Sequence, residues 1–406
     1  MSIDLFHLLT HTMKLNTQAF SGQVIIITGA GQGIGYHTAH AFALLCGQVI
    51  LAERSESGKS AEAAIRAEGG RATFIQTDVS NADSVAGLLR DVRQAFGPVD
   101  VLINNAIYIQ QVSVLDMPPE VWERTMAVNL RGTYLTCRAV MPDMLARNQG
   151  LIINMTSTDA MPGLSAYIAS KAGITAFSQS LALELDGTGV HVVPFGPGMV
   201  DTPGIRSVAA GLAPQLGLSE SQFLNLSLHA DYEGLMPPEH AGAAAAYLAA
   251  CLAEEYHGQT ITGYEVLERA GVLSAGGNQN LDVSPASAQP GETVQVLFGK
   301  LLAILDETEA EFGQLPVFVR PMAKAGFKGK AGQSLSDWQR LAASLTRSDG
   351  SLPANLAEQL NKLARYYRET PQETARFTKD EATLRMVTET ARARLAVIGA
   401  LLESFK

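Results

Sequence analysis

The chain predicts a doubly wound α/β fold: a parallel seven-stranded sheet covered by helices on both faces, with an appended all-helical C-terminal region. Three observations carry this expectation. Short β-branched apolar runs alternate with alanine-rich stretches from residue 21 to residue 271. The runs are largely continuous in hydrophobicity rather than alternating, the pattern of strands buried on both faces. The first run leads directly into a glycine-rich octet, "TGAGQGIG" (28–35).

The seven runs, in order, are "VIIIT" (24–28), "VILA" (49–52), "TFIQ" (73–76), "VDVLI" (99–103), "LIINM" (151–155), "VHVVP" (190–194) and "YEVL" (264–267). Residues 1–20 precede them as an N-terminal extension, and 272–293, rich in Gly, Ser, Ala, Asn and Pro, reads as a linker. From 294 to 406 the periodicity is helical. In 293–312, Val296, Leu297, Phe298, Leu301, Leu302, Ile304 and Leu305 recur at helical spacing, and the pattern continues in 334–347, 353–370 and 379–405. Ser336 is the expected cap of one of these helices and Pro353 an expected first-turn residue of another. Amphipathic helices of this kind predict a small bundle that packs on the main domain or on a partner subunit.

The net charge of −10 is unevenly placed: residues 1–270 hold 25 acidic and 14 basic side chains, and residues 271–406 hold 15 and 16. An acidic main body lacks the Lys/Arg surplus that phosphate neutralisation requires, so no nucleic-acid partner is expected. No segment approaches the roughly 20 apolar residues that cross a bilayer, and the N-terminus does not read as a signal peptide. The expectation is a cytoplasmic protein without a membrane partner. Cys46, Cys137 and Cys251 are too far apart for a disulfide framework or metal cluster and are expected to be buried thiols. The eight histidines form no ligand set, His37 and His40 reading as packing or surface residues, and no metal site is predicted.

The glycine octet follows a strand and opens an alanine-rich helix, the context that a Rossmann-type dinucleotide fingerprint needs. Gly29, Gly33 and Gly35 let the chain turn sharply and bring its backbone against a pyrophosphate, with Gln32 and Ile34 between them, while the helix N-terminus faces the phosphates. Glu53, at the end of the second run, suits an adenosine ribose and repels a 2′-phosphate, favouring NAD over NADP. Arg54 beside it either holds a phosphate or is a solvated side chain.

With these residues in place, 21–271 resembles the short-chain dehydrogenase/reductase family along its whole length. The family's glycine motif is similar to "TGAGQGIG", its adenine-contacting Asp-Val pair to Asp78 and Val79, and its NNAG to "NNAI" (104–107), which brings in Asn105 and Ala106. Its helical Asn resembles Asn129, its YxxxK pair is similar to Tyr167 and Lys171, and its PGxxxT to Pro197, Gly198 and Thr202. The resemblance implies an NAD- or NADP-dependent enzyme acting on an alcohol or ketone, commonly a homo-oligomer. Tyr167 would exchange the proton, and an adjacent Lys171 ammonium, joined by the positive nicotinamide ring, would lower its pKa by about 3 units from near 10. Ser157 would bond the substrate oxygen, and Asn129 would hold a water behind Lys171. Thr202 and the backbone after Pro197 would orient the carboxamide.

Two departures stand out. Ser157 and Tyr167 are closer in sequence than the family pattern, which leaves Thr156 and Thr158 as alternative hydroxyls. Ile107 replaces a Gly, and a β-branched residue resists positive φ, so the backbone there is expected to differ. Leu212, Leu216, Leu218, Phe223, Leu224 and Leu226, in the segment after Thr202, indicate either an apolar substrate or packing on the sheet or the C-terminal helices. The competing reading of the whole chain is a catalytically silent dinucleotide-binding regulator or scaffold whose helical tail binds a partner.

Overall fold

The computed structural model describes residues 3–157, 161–215, 218–226, 228–229, 231–274, 294–314, 319–346, 355–377 and 381–403. Two compact units divide the chain, Met1–Ala275 and Gly276–Lys406.

In the first unit, α1 (Leu5–His7) and a π-helical turn (Leu8–Thr12) precede β1 (Val24–Thr28), α2 (Gly33–Leu44), β2 (Gln48–Glu53), α3 (Ser57–Ala67), β3 (Arg71–Gln76), α4 (Ala82–Phe96) and β4 (Val101–Asn104). Then follow α5 (Pro119–Thr125), a π-helical turn (Met126–Arg131), α6 (Gly132–Arg147), β5 (Gly150–Met155), α7 (Ser165–Glu184) and β6 (Val190–Gly196). The unit closes with α8 (Pro203–Gln215), α9 (Glu220–Leu224), α10 (Pro238–Tyr247), a π-helical turn (Leu248–Leu252), β7 (Ile261–Thr262) and α11 (Gly263–Arg269).

All seven strands are parallel, in the order β3-β2-β1-β4-β5-β6-β7. The order reverses between β1 and β4, and the carboxyl ends of strands at such a switch point leave a crevice between diverging loops. Alternate residues of each strand feed two cores. Ile25 and Ile27 pack with alanines of α2 and α10 on one face, and Ile26, Ile50 and Leu102 with Leu88 of α4 and Val140 of α6 on the other. Leu5, Leu8, Leu9 and Met13 belong to the first of these cores, so the N-terminal segment is structurally part of this unit.

The seventh strand differs from its expected place. Ile261 and Thr262 pair with Phe195 and Gly196, whereas "YEVL" lies in α11. A capping box explains the change: the Thr262 hydroxyl accepts from the Glu265 N–H at 3.2 Å, and the Glu265 carboxylate accepts from the Thr262 N–H at 2.8 Å. That reciprocal pair satisfies backbone donors of a helical first turn and overrides the strand propensity of Tyr and Val. The cysteines also differ from expectation, because only Cys137 is buried; Cys46 is half-buried and Cys251 exposed. Burial pushes the Cys137 thiol up to about 12.

The second unit comprises α12 (Val294–Gln314), α13 (Val319–Ala331), α14 (Leu335–Leu345), α15 (Leu356–Phe377) and α16 (Glu381–Glu403). Phe298, Leu301, Leu305, Phe327, Trp338, Leu360, Leu363, Ile398 and Leu401 form its core, while Val296 is 48% exposed and faces away from it. The cap of α14 is Ser334 rather than Ser336: its hydroxyl accepts from the Asp337 N–H at 3.2 Å. Helix α13, with two glycines and a proline among thirteen residues, had no sequence signal strong enough to predict it. Pro353 and residues 275–293 of the expected linker lie outside the described residues. Among the described residues, no helix is long and apolar enough to cross a membrane.

Candidate active site

The turn after β1 is built for close backbone approach. Gly29 and Gly33 have φ of +66° and +57°, a region that side chains rarely adopt. A Cβ at Gly29 would lie 2.7 Å from the Ala106 Cα, and one at Gly35 would strike the Gly29 carbonyl oxygen. Asn105 fixes this contact by donating from its side chain to the carbonyls of Thr28 at 2.9 Å and Gly29 at 3.0 Å. In return the Thr28 hydroxyl accepts from the N–H groups of Asn105 and Ala106, both at 3.0 Å. Helix α2 thus starts in a fixed position at the switch point. Gln32 precedes it in extended backbone without capping it, and Ile34 is half-buried against the core.

The carboxylate of Glu53, at the end of β2, reaches back to this turn. It accepts from the Gly31 N–H at 3.4 Å and from the backbone and hydroxyl of Ser55 at 2.9 and 3.0 Å. The Arg54 carbonyl accepts from Gln76 at 3.0 Å. Beyond β3, Asp78 accepts from the Ser80 N–H at 2.9 Å and hydroxyl at 2.6 Å. Burial opposes ionisation of Asp78, but those hydrogen bonds and the charges of Arg54 and Arg124 outweigh it and hold the carboxyl below its usual range. Val79 is buried against Gly132 at the start of α6.

Tyr167 and Lys171 share one face of α7, as their spacing requires. The Lys171 amine stands 5.6 Å from the centre of the Tyr167 ring and donates to the Met155 carbonyl at 2.7 Å. The Ser157 hydroxyl is hydrogen-bonded to the Tyr167 phenol. Thr156 is committed elsewhere: its hydroxyl bonds the Lys171 carbonyl at 3.1 Å and the Thr175 hydroxyl at 2.5 Å. Thr158 lies outside the described residues. Asn129, fully buried in the π-helical turn, brackets the Tyr108 backbone, accepting from its N–H at 2.7 Å and donating to its carbonyl at 3.1 Å and to the Ser170 hydroxyl at 2.9 Å.

The protein's own groups do not supply the expected shift by themselves. Burial raises the Tyr167 phenol to about 12 despite the Ser157 hydrogen bond, and burial alone lowers the Lys171 amine to about 7. Both groups resist charging because the low-dielectric surroundings penalise phenolate and ammonium alike. The Lys171 shift has a stability consequence. Its value is about 7 when folded against 10.5 as a free side chain, so between those values the unfolded chain holds a proton that the folded chain lacks. Stability from this group therefore rises with pH through that window, by roughly a few kcal/mol in total. Chemical denaturation of wild type and Lys171→Met across the window is expected to show a slope in wild type that the variant loses.

The loop after β6 completes the crevice. Thr202 lies against the glycine turn, its methyl 3.4 Å from where a Cβ on Gly33 would stand, and its hydroxyl accepts from the Ile205 N–H at 3.2 Å to start α8. Gly198 has φ of +99°. Helices α8 and α9 then fold over α7: Leu212 and Phe223 are fully buried with Leu164, and Tyr167, Ile168, Leu218, Leu224 and Leu226 pack around them. Those apolar residues therefore pack on the Tyr167 face of α7 rather than on the sheet; Leu216 lies outside the described residues. Ile107 is 47% exposed and its φ is not positive, so the backbone avoids the left-handed region that a Gly would permit.

A family model described as short chain dehydrogenase matches residues 23–212. An uncharacterized oxidoreductase of Thermotoga maritima is 40% identical over 185 residues, which cover 45% of this chain and 72% of that protein. The chain belongs to the short-chain dehydrogenase family. A 3-oxoacyl-[acyl-carrier-protein] reductase of Synechocystis sp. is 38% identical over 189 residues, 45% of this chain and 76% of that one. Oxidoreductase UcpA of Escherichia coli strain K12 is 33% identical over 233 residues, 56% of this chain and 88% of the relative. Among solved structures, the crystal structure of gox2181 superposes with a TM-score of 0.54 at 25% identity, covering 61% of this chain and 97% of that one. The protein is thus an oxidoreductase with a Rossmann-type nucleotide-binding fold.

Two features of this short-chain dehydrogenase were not read from the sequence. Asn104 and Asn154 form a buried network between β4 and β5, Asn104 donating to Asn154 at 2.9 Å, Thr136 to Asn104 at 2.6 Å and Asn154 to Ser178 at 2.9 Å. These bonds tie α6 and α7 to strands β4 and β5. Gln111 runs between Gly163 and Gly211, where a Cβ on either glycine would meet its side chain. Only the absence of side chains at those two positions hinted at it, and nothing in the sequence paired them.

Proposed function

We propose that the enzyme moves a hydride between a nicotinamide dinucleotide, NAD in preference to NADP, and the carbonyl or secondary-alcohol carbon of a largely apolar small molecule. The juxtaposition of Ser157, Tyr167 and Lys171 with the glycine turn at the carboxyl edge of the sheet carries this reading. The residues present fit a dinucleotide: two left-handed glycines leave bare backbone at the turn, and the Glu53 carboxylate reaches back to it, suited to an adenosine ribose. The relative named for 3-oxoacyl reduction supports a carbonyl substrate.

In this reading the amides of Gly29 to Gly35 bind the pyrophosphate, and Glu53 holds the adenosine ribose, with Arg54 at its edge. Asp78, Val79, Asn105 and Ala106 border the adenine half. Lys171 binds the nicotinamide ribose, and Pro197, Gly198 and Thr202 orient the carboxamide. The dinucleotide supplies the redox equivalent, and the protein's part is to position it and to handle the proton. Tyr167 gives its proton to the carbonyl oxygen in reduction and takes one from the alcohol in oxidation, while Ser157 donates to the same oxygen and stabilises its developing charge. Asn129 holds the Tyr108 segment and Ser170 behind this pair. Exposed Trp122 and Tyr134 on α5 and α6 suit the self-association proposed for the chain.

Absorbance of the reduced dinucleotide during a screen of ketones and secondary alcohols tests the assignment. Turnover of at least one apolar pair supports it, and dinucleotide binding without turnover across the screen contradicts it. Glu53→Ser is expected to shift the kcat/KM ratio toward NADP by about tenfold, the effect of removing one like-charge repulsion of roughly 1.4 kcal/mol.

A further inference from the structure

We infer that Tyr264 is a positioning residue for the nicotinamide end of the dinucleotide, acting through Gly198; the inference rests on the reading of Pro197–Thr202 as the carboxamide loop. The sheet register puts them together. Phe195 pairs with Ile261 and Gly196 with Thr262, so two residues further along, Gly198 comes opposite Tyr264. The contact is tight: a Cβ on Gly198 would stand 2.6 Å from Cε2 of the Tyr264 ring and 3.0 Å from Cζ. Gly198 is in the left-handed region at φ of +99°, so the ring lies against bare backbone at the turn that aims the loop. The neighbouring Gly263 packs equally closely on Pro197, where a Cβ would meet the Pro197 carbonyl. The Thr262–Glu265 capping box fixes where α11 begins, and with it the position of the Tyr264 backbone.

The ring also packs with residues that follow the apolar helices over α7. His229 is buried, and its ring lies within 7° of parallel to Tyr264 at 6.1 Å between centroids. Its Nε2 pairs with Glu268 of α11 at 3.2 Å, and its Nδ1 accepts from the Asp231 N–H at 3.2 Å. Tyr232 stands edge-on to both rings, and its hydroxyl bonds Nδ1 of His240 at 2.6 Å. The same segment then returns to the loop as a parallel bridge between Val200 and Met236, with the Met236 N–H donating to Met199 at 2.9 Å. Gly198 through Asp201 is therefore clasped between Tyr264 and Met236, and the residues that follow α9 are joined through His229 and Tyr264 to the proposed carboxamide loop.

Calorimetric titration with NADH and with ADP-ribose, which lacks the nicotinamide, separates positioning from general support. Tyr264→Ala is expected to weaken NADH about tenfold while ADP-ribose stays within about twofold, and Tyr264→Phe, which keeps the ring, to leave both within about twofold. Gly198→Ala, which drives a methyl into the ring, is expected to reproduce the NADH-selective loss and serves if Tyr264→Ala does not fold. Equal weakening of both ligands, or no weakening of NADH, would overturn the positioning role. Wild type that binds neither ligand would instead overturn the dinucleotide reading beneath it.

Discussion

Tyr167→Phe is expected to lower kcat by about a thousandfold, within the range of general acid–base contributions, with dinucleotide affinity changed less than about threefold. The substitution removes one oxygen from a ring that stays packed among Leu164, Leu212 and Phe223, so the fold has no reason to respond. The structure makes the size of the effect depend on the proton rather than on shape. A phenol held near 12 by burial is a reluctant acid, and its neighbouring amine, near 7, is only partly cationic at neutral pH. Single-turnover absorbance measurements on wild type and the variant separate the two quantities, and an unchanged rate would remove Tyr167 from the chemistry.

The second large effect is expected at Gly29. Alanine there faces a left-handed backbone, which costs about 1–2 kcal/mol, and its Cβ is directed at the Ala106 backbone, which has no flexible end to yield. A loss of stability of about 2–4 kcal/mol and of dinucleotide affinity by about a hundredfold follows, because the turn opens away from Asn105 and the start of α2 moves with it. Denaturant midpoints and dinucleotide titration check the two parts separately. Retention of both would mean that the close approach between the two loops is not required.

Much of this was legible in the sequence for a physical reason. Six strands are legible as short runs rich in β-branched apolar residues, the pattern of strands covered by helices. The candidate site is legible as motifs because the glycine turn, the Tyr167–Lys171 spacing and the Pro197–Thr202 loop each occupy a short stretch with its own local geometry. The failures also have causes. "YEVL" carries strand-forming side chains, yet the Thr262–Glu265 cap decides its conformation. Ser336 has the right chemistry for a cap, but Ser334 stands at the position where an extended residue precedes the helix. Apolar residues of the first twenty were not assigned to the main core because no motif joins them to it, although Leu9 is fully buried there.

Burial was the least legible property of the site. Spacing puts Lys171 beside Tyr167 and suggests Coulombic acidification, but Tyr167 is packed among residues of α8 and α9, which are distant in sequence, and Lys171 reaches back to β5. The contacts of Gln111 with Gly163 and Gly211 and of Tyr264 with Gly198 are equally nonlocal.

The most direct test of the central claim is a crystal structure of the full chain soaked with NADH. The account predicts the pyrophosphate on the turn from Gly29 to Gly35, the nicotinamide ribose on Lys171, and the ring's reactive carbon about one substrate atom beyond hydrogen-bond reach of the Tyr167 hydroxyl. Density for the dinucleotide elsewhere, or a nicotinamide directed away from Tyr167 and Ser157, would contradict it.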